Sequence, residues 1–250
     1  MMWIKQLRWG RELRAAHLIV RRHNVATCSR PLLFAVILSV YASGIAQGVG
    51  SEPAVEPCPA AAEWLRSHPP LPEAQHAAAS RAELLDELKV RVANDQNARR
   101  QWLADSRNEN LARAVDTIDI SNLAWLRKLI GKEGFPTAAQ VGNEGVHLAW
   151  VLLQHADQDV KFQSALLFVL EKRYSAGELS ANDFSRFTDR VLVANSKPQR
   201  FGTQFDWMAS ESKLPEGSRL VEIDADRRQL GLVPLADYAC AVRSARERNR

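Results

Sequence analysis

The stretch EGVHLAWVLLQHA, residues 144–156, decides the fold class of this chain. It contains a nearly continuous apolar run from Val146 to Leu153. Placed on a helix, these residues cover every side, and a helix that is apolar all round is a buried one. We therefore predict a helical domain that is built around this segment as its buried central helix.

Residues that mark helix boundaries predict further helices on both sides of this segment. Ser80 and Glu83 have the spacing of a capping box and predict a helix that runs to about Leu103. A second helix is predicted around residues 123–130, with Gly134 as its stop. The same reasoning predicts later helices at residues 160–174, at residues 180–193 and after Pro234.

Two short runs near the C-terminal end, residues 205–209 and 219–223, are candidates for β-strands. We expect them to pair as a hairpin beside the helices. The predicted fold class is therefore mainly α, a helical domain with a buried central helix and a small C-terminal β-hairpin.

Residues 1–46 are interpreted as a leader. Residues 32–46, LLFAVILSVYASGIA, carry no charge and follow Arg30 and two earlier arginines, a pattern typical of an export signal with cleavage after Ala46. Residues 31–50 are also long enough to span a bilayer, so an inner-membrane anchor is the alternative. We expect an exported protein of the periplasm or cell envelope that touches a membrane only through this segment.

The net charge of +4 is unevenly distributed along the chain. Residues 1–46 hold seven basic residues and one acidic residue, whereas residues 47–250 hold 26 basic and 28 acidic ones. A nucleic-acid-binding domain keeps a basic face, so no nucleic acid is expected as a partner. Residues 47–79 are rich in alanine and proline and predict a spacer, which leaves residues 80–250 as the helical domain.

Two cysteines, Cys58 and Cys240, follow the leader. In an oxidising compartment they could form a disulfide. Because Cys58 lies in the predicted spacer, two free thiols are an equally good interpretation.

Three polar residues interrupt the apolar stripe of the first predicted helix. Asp95, Gln96 and Arg99 fill the gap in that stripe between Val92 and Trp102. Asp95 and Arg99 also have the spacing of a helical ion pair. We expect a charged cluster that faces the interior, where charges are costly unless they are paired. The alternative is a solvated pair on a helix whose packing ends at Val92.

His155 is the main catalytic candidate. It lies on the buried face of the central helix beside Gln154, and Asp157 follows closely enough to orient the imidazole. The alternative is a histidine that only completes the core. Asp119 and Asn122, at the start of the second predicted helix, are explained by capping alone.

The candidates for ligand binding are Asp95, Gln96, Arg99 and Gln154 of the predicted helices, together with Asp189, Arg190, Gln199 and Gln204. Asp189 and Arg190 precede an apolar turn, which predicts that they are partly buried. The alternative is an ion pair on the surface. Gln199 and Gln204 flank a loop in which Gly202 permits close approach of the backbone to a ligand.

Several familiar chemistries lack their motifs. The chain contains no phosphate-binding GxxxxGK[ST], no GxGxxG, no HExxH, no CxxC and no GxSxG. The segment from His155 to Asp157 supplies too few ligands for a metal site. We therefore expect neither a metal nor a cofactor.

The chain contains, in this order, the motifs DQxxR (95–99), GFPT (134–137), VG (141–142), QHAD (154–157), DRV (189–191) and PQxFGTQ (198–204). Together these six motifs resemble an uncharacterised bacterial domain family, a domain of unknown function. The resemblance covers roughly residues 84–240, and Phe135 and Phe201 stand where the family has Trp and Tyr. Because the family has no established activity, the resemblance implies a shared fold and site but no mechanism.

Three functions fit these features. The first is a cell-envelope module that binds a small molecule or peptide at a buried polar site. The second is a hydrolase or transferase with His155 as general base and Asp157, Asp95 or Asp189 orienting it. The third is a structural helical domain whose polar residues only fix the packing.

Overall fold

The computed structural model describes residues 58–67, 79–204 and 215–248. These residues form eight helices and no strand, which confirms the mainly α fold class. The helices are α1 (Pro59–Ser67), α2 (Ala82–Ala104), α3 (Glu109–Glu133), α4 (Ala138–Gln154), α5 (Val160–Ser175), α6 (Ala181–Ala194), α7 (Ser218–Gln229) and α8 (Leu235–Arg248).

The predicted C-terminal β-hairpin is not supported. Residues 219–223 lie inside α7, and residues 205–209 fall outside the described residues. Ile223 and Arg227, four residues apart, are both buried, which is the repeat of a helix. A window of five residues was too short to separate this repeat from the alternation of a strand.

The central helix α4 is buried as predicted. Val146, Leu152 and Leu153 are almost completely enclosed, and they join a core to which α2, α3, α5 and α6 also contribute. Its first turn is closed by a capping box between Thr137 and Gln140. The backbone then breaks at Gly142, whose φ of 69° favours glycine, before the long buried part begins.

The start of α2 differs from the prediction. Ser80 and Glu83 form no capping box, and the N-cap residue Arg81 makes no capping bond through its side chain. Instead the Ser80 hydroxyl donates to the carbonyl of Ala139 at 3.0 Å, and the Arg81 amide donates to the carbonyl of Gln140 at 2.8 Å. The beginning of α2 is thus fastened to the first turn of α4.

Helix α3 begins more than two turns earlier than predicted. The side chain of Asn108 caps it by accepting from the Asn110 amide at 3.0 Å. Asp119 and Asn122 therefore lie in the middle of α3, and the interpretation of both as helix caps was wrong. From this position the Asp119 side chain accepts a hydrogen bond from Arg99 of α2.

Cys58 and Cys240 form a disulfide that joins the start of α1 to α8 across 182 residues of sequence. The leader at residues 1–46 and most of the spacer at 47–79 lie outside the described residues. None of the helices within the described ranges has the length and hydropathy that a membrane span requires.

Candidate functional site

A cluster of buried polar side chains lies where α2 and α3 meet the C-terminal end of α4. Its centre is Asp95, which is 1% exposed. His155 places Nδ1 3.1 Å from Asp95 Oδ1, and Arg99 donates Nε to the same carboxylate at 3.1 and 3.2 Å. Gln96 adds a fourth group by donating Nε2 to Asp95 Oδ2 at 2.8 Å. The inward-facing cluster predicted from the α2 stripe is therefore present.

Arg99 also connects Asp95 to a second carboxylate. Its Nη2 donates to Asp119 Oδ1 from α3, so one guanidinium holds two acids from neighbouring helices. Asp119 was missed as a site residue because its helix was predicted to begin too late. Once α3 is extended back to its observed start, Asp119 lies between Val115 and Leu123, four residues from each, on the buried stripe. This is the same signal that singled out Asp95.

Asp157 does not orient His155, contrary to the prediction. Its carboxylate accepts Nε of Arg190 at 2.8 Å, Nη2 of the same arginine, and Nε2 of Gln163 at 3.3 Å. Gln163, completely buried, was not foreseen and also donates to the carbonyl of Leu153 at 3.0 Å. Arg190 is buried while 57% of the Asp157 side chain is exposed, so this pair forms the open edge of the site.

The pKa values of the Asp95–His155 pair define its protonation. Burial raises the pKa of Asp95, but its contacts with His155 and Arg99 outweigh burial, so the pKa lies below its usual value. Burial lowers the pKa of His155, and the bond to Asp95 offsets this only in part. At neutral pH the pair is therefore a carboxylate that accepts the Nδ1 proton of a neutral imidazole.

The pKa of Asp119 is shifted in the opposite direction from that of Asp95. Burial raises its pKa to about 7, because the charge of Arg99 is countered by the negative charges of Asp95, Asp157 and Asp116. The cluster thus holds two carboxyl groups of different protonation, which is the pattern of an acid–base site.

Three of these residues also have the composition of a metal site. Oxygens of Asp95 and Asp119 and a ring nitrogen of His155 lie within 4.8 Å of one another. However, the Arg99 guanidinium already donates to both carboxylates, and a divalent cation would have to displace this buried positive charge. The donor set therefore fits proton transfer better than metal binding.

Comparison with known proteins gives one match. A family of unknown function (DUF6624) matches residues 82–247, from the first residue of α2 to the last turn of α8. The chain belongs to this family. No curated protein and no solved structure matches it. The resemblance to an uncharacterised family is thereby confirmed, and the DUF6624 region contains every residue of the cluster.

The remaining candidates of the DUF6624 region make no hydrogen bond with Asp95, His155, Arg99 or Asp119 among the described residues. Asp189 is completely buried and accepts the backbone amides of Arg200, Phe201 and Thr203 at 2.7 to 2.9 Å. Burial raises the pKa of Asp189, and these loop hydrogen bonds oppose the shift. Its contacts hold the loop after α6, and among the described residues it makes no hydrogen bond to His155.

Gln199 and Gln204 shape the same loop. Gln199 Oε1 accepts the amide of Gln204 at 2.7 Å, and Gln204 donates Nε2 to the carbonyl of Arg186 at 3.2 Å. Gly202 has a φ of 69°, which explains the glycine without a ligand. Gln154 is buried at the end of α4, and its side chain makes no hydrogen bond with any described residue.

Proposed function

We propose that the cluster is the acid–base site of a hydrolase or transferase. In this proposal His155 is the general base, Asp95 orients its ring, and Asp119 is the general acid. The observation that carries the proposal is the bond from His155 Nδ1 to Asp95, which leaves the opposite nitrogen, Nε2, without a partner among the described residues.

The protonation of the pair supports this role. A neutral imidazole with its proton on Nδ1 has a lone pair on Nε2, and that lone pair is the base. Asp95 is ionised and lies 3.0 Å from Nδ1, so it fixes the ring orientation and stabilises the imidazolium that forms when Nε2 takes a proton. A histidine that only completes a core needs just a hydrogen-bond acceptor for its ring N–H, whereas an ionised carboxylate also stabilises the imidazolium.

The reaction step follows from these positions. Nε2 of His155 removes a proton from water or from a substrate hydroxyl, whose oxygen then forms a bond to the electrophilic carbon or phosphorus. The bond to the leaving group breaks with its electron pair, and the leaving group takes the proton of Asp119. Loss of the His155 proton to solvent and uptake of a proton by Asp119 restore the starting state.

The proposal includes export. The uncharged segment at residues 32–46 follows a positive flank, as export signals do. The Cys58–Cys240 disulfide supports an oxidising compartment, because such bonds persist mainly outside the cytosol.

A second candidate function is binding without chemistry. Gln163 Oε1 is buried beside Asp157 and accepts no hydrogen bond from the described residues. A buried acceptor without a partner is a group that a ligand could satisfy.

Two measurements on the full-length protein test the catalytic proposal. The first is nitrogen NMR of the His155 ring at neutral pH, where we expect a neutral ring with its proton on Nδ1. A proton on Nε2 would remove the base and overturn the proposal.

The second measurement is turnover of a panel of chromogenic phosphate esters, carboxylate esters and glycosides. We expect His155→Gln to lower the rate on any accepted substrate by about 10²- to 10⁴-fold while the far-UV circular dichroism spectrum is unchanged. Asp86→Asn, an exposed aspartate on the same helix as Asp95, is the control and should keep the rate. Full activity of His155→Gln would exclude His155 as the base.

A further inference from the structure

A second polar cluster lies between α4 and α6 and has no part in the proposed proton transfer. His147 on α4 places Nδ1 2.8 Å from Asp183 Oδ2 on α6. The His147 ring stacks on Trp150 at a centroid distance of 5.4 Å, and the Arg186 guanidinium lies 5.8 Å from the centre of the Trp150 ring. Two helices therefore bring an imidazole, an indole and a guanidinium together.

The chemistry of this cluster favours an anion. Burial lowers the pKa of His147, but the hydrogen bond and charge of Asp183 outweigh it, so the pKa lies above its usual value. Trp150 is 3% exposed, and its Nε1 donates to no described residue. The carboxylate of Asp183 already accepts a hydrogen bond from His147. What the cluster offers to a ligand is thus N–H donors and positive charge.

The cluster is also open to solvent at one point. The His147 side chain is 46% exposed, whereas Asp183 behind it is 6% exposed. A ligand can therefore reach the imidazole edge while the buried carboxylate holds the ring in place.

The two polar clusters lie along the same pair of helices. His147 and His155 are eight residues apart, about 12 Å along α4 at 1.5 Å per residue. On α6, Arg190 follows Arg186 by one turn and pairs with Asp157 at the edge of the acid–base site. A single elongated molecule lying along α4 and α6 would reach both clusters.

We propose that His147, Trp150 and Arg186 form a subsite for an oxyanion, a phosphate or carboxylate group that the substrate carries about 12 Å from its reacting bond. That the oxyanion belongs to a substrate rests on the proposed function, whereas oxyanion binding at this subsite does not.

The test is a thermal-shift titration of the full-length protein with sodium phosphate and with sodium acetate, against sodium chloride at equal ionic strength. A ligand that binds only the folded state raises the melting temperature with its concentration. We expect a rise above the chloride series in wild type, in His155→Gln and in the exposed-arginine control Arg113→Gln, and none in Arg186→Gln. The anion that gives the larger rise in melting temperature, phosphate or acetate, shows whether the subsite prefers a phosphate or a carboxylate group.

A second readout keeps the proposal testable if Arg186→Gln fails to fold. The Trp150 indole N–H resonance should move during the phosphate or acetate titration in wild type and stay fixed in His147→Gln, whose altered side chain is half-exposed. An equal thermal rise in Arg186→Gln, an equal indole shift in His147→Gln, or no response of wild type to either anion would overturn the subsite. If any of these results is found while turnover still depends on His155, the subsite is refuted and the proposed acid–base site is not.

Discussion

His155 Nδ1 and Asp95 Oδ1 lie 3.1 Å apart although 60 residues of sequence separate them. Both side chains are more than nine-tenths buried, so their bond is shielded from solvent. The ring orientation of His155 therefore depends on a carboxylate that belongs to a different helix.

The first prediction concerns this bond. Asp95 raises the pKa of His155 against the effect of burial, so Asp95→Asn should lower the pKa of His155 further. NMR titration of the ring in wild type and Asp95→Asn measures the change, with Asp86→Asn as the control that leaves the titration as it is. A His155 titration that is the same in Asp95→Asn would contradict the assigned contact.

The second prediction concerns Arg99, which is 5% exposed and donates to both Asp95 and Asp119. Arg99→Ala leaves two carboxyl groups without their cation and should lower the free energy of unfolding by roughly 3–5 kcal/mol. Urea denaturation measures the loss. Arg100→Ala, on the exposed side of the same helix, should change it by less than about 0.5 kcal/mol. A loss below about 1 kcal/mol for Arg99→Ala would be typical of a surface ion pair and would contradict the prediction.

Much of the fold was predictable because the apolar stripes repeat at helical spacing. The stripe of α2 also revealed Asp95 and Arg99, since polar residues that interrupt a stripe are conspicuous in the sequence. Two elements were not predictable by this route. Residues 219–223 are too few to show a period, and the early start of α3 depends on the Asn108 cap.

The partners within the site were less predictable than its members. Asp157 is two residues from His155 and was the obvious orienting group, yet Asp95 holds the ring. The reason is three-dimensional, because Asp157 lies beyond the end of α4 and faces Arg190 of α6. Sequence spacing within one helix gives neighbours on that helix, but it does not give the residue that the next helix brings opposite.

The third prediction is a pH dependence of stability that arises from Asp119. Its pKa is about 7 in the folded protein and near 3.9 in an unfolded chain. Between about pH 4 and pH 7 the folded state holds a proton that the unfolded state has lost, so the free energy of unfolding falls as the pH rises. The slope from this residue is at most about 1.4 kcal/mol per pH unit.

Asp119→Asn isolates this contribution because the amide resembles the protonated acid. The variant should match wild type near pH 4 and be the more stable protein near pH 8. Urea denaturation of both proteins across this range is the measurement, and a constant difference between them would show that Asp119 titrates normally.

The fourth prediction concerns the cysteines and the leader. Of the three cysteines, Cys28 lies in the leader, so a full-length chain with the Cys58–Cys240 bond should alkylate once when unfolded without reductant. A chain cleaved after Ala46 should begin at Gln47 and alkylate at no site. Mass spectrometry of protein produced in a bacterial host measures both features, and alkylation of Cys58 and Cys240 without reductant would exclude the disulfide. An exported product that still begins at Met1 would support the membrane anchor instead.

The fifth prediction separates a structural carboxylate from the catalytic ones. Asp189 accepts four hydrogen bonds, from three loop amides and the Thr203 hydroxyl at 2.8 Å, and it needs both oxygens to do so. Asp189→Asn turns one acceptor into a donor that faces N–H groups, and each buried donor without a partner costs about 1–3 kcal/mol. We therefore expect the asparagine variant to lose at least about 2 kcal/mol of unfolding free energy in urea. The NMR titration of His155 should stay as in wild type, because the ring bonds to Asp95 and, within the described residues, forms no hydrogen bond with Asp189 or its loop. A changed His155 titration with unchanged stability would instead assign Asp189 to the acid–base site.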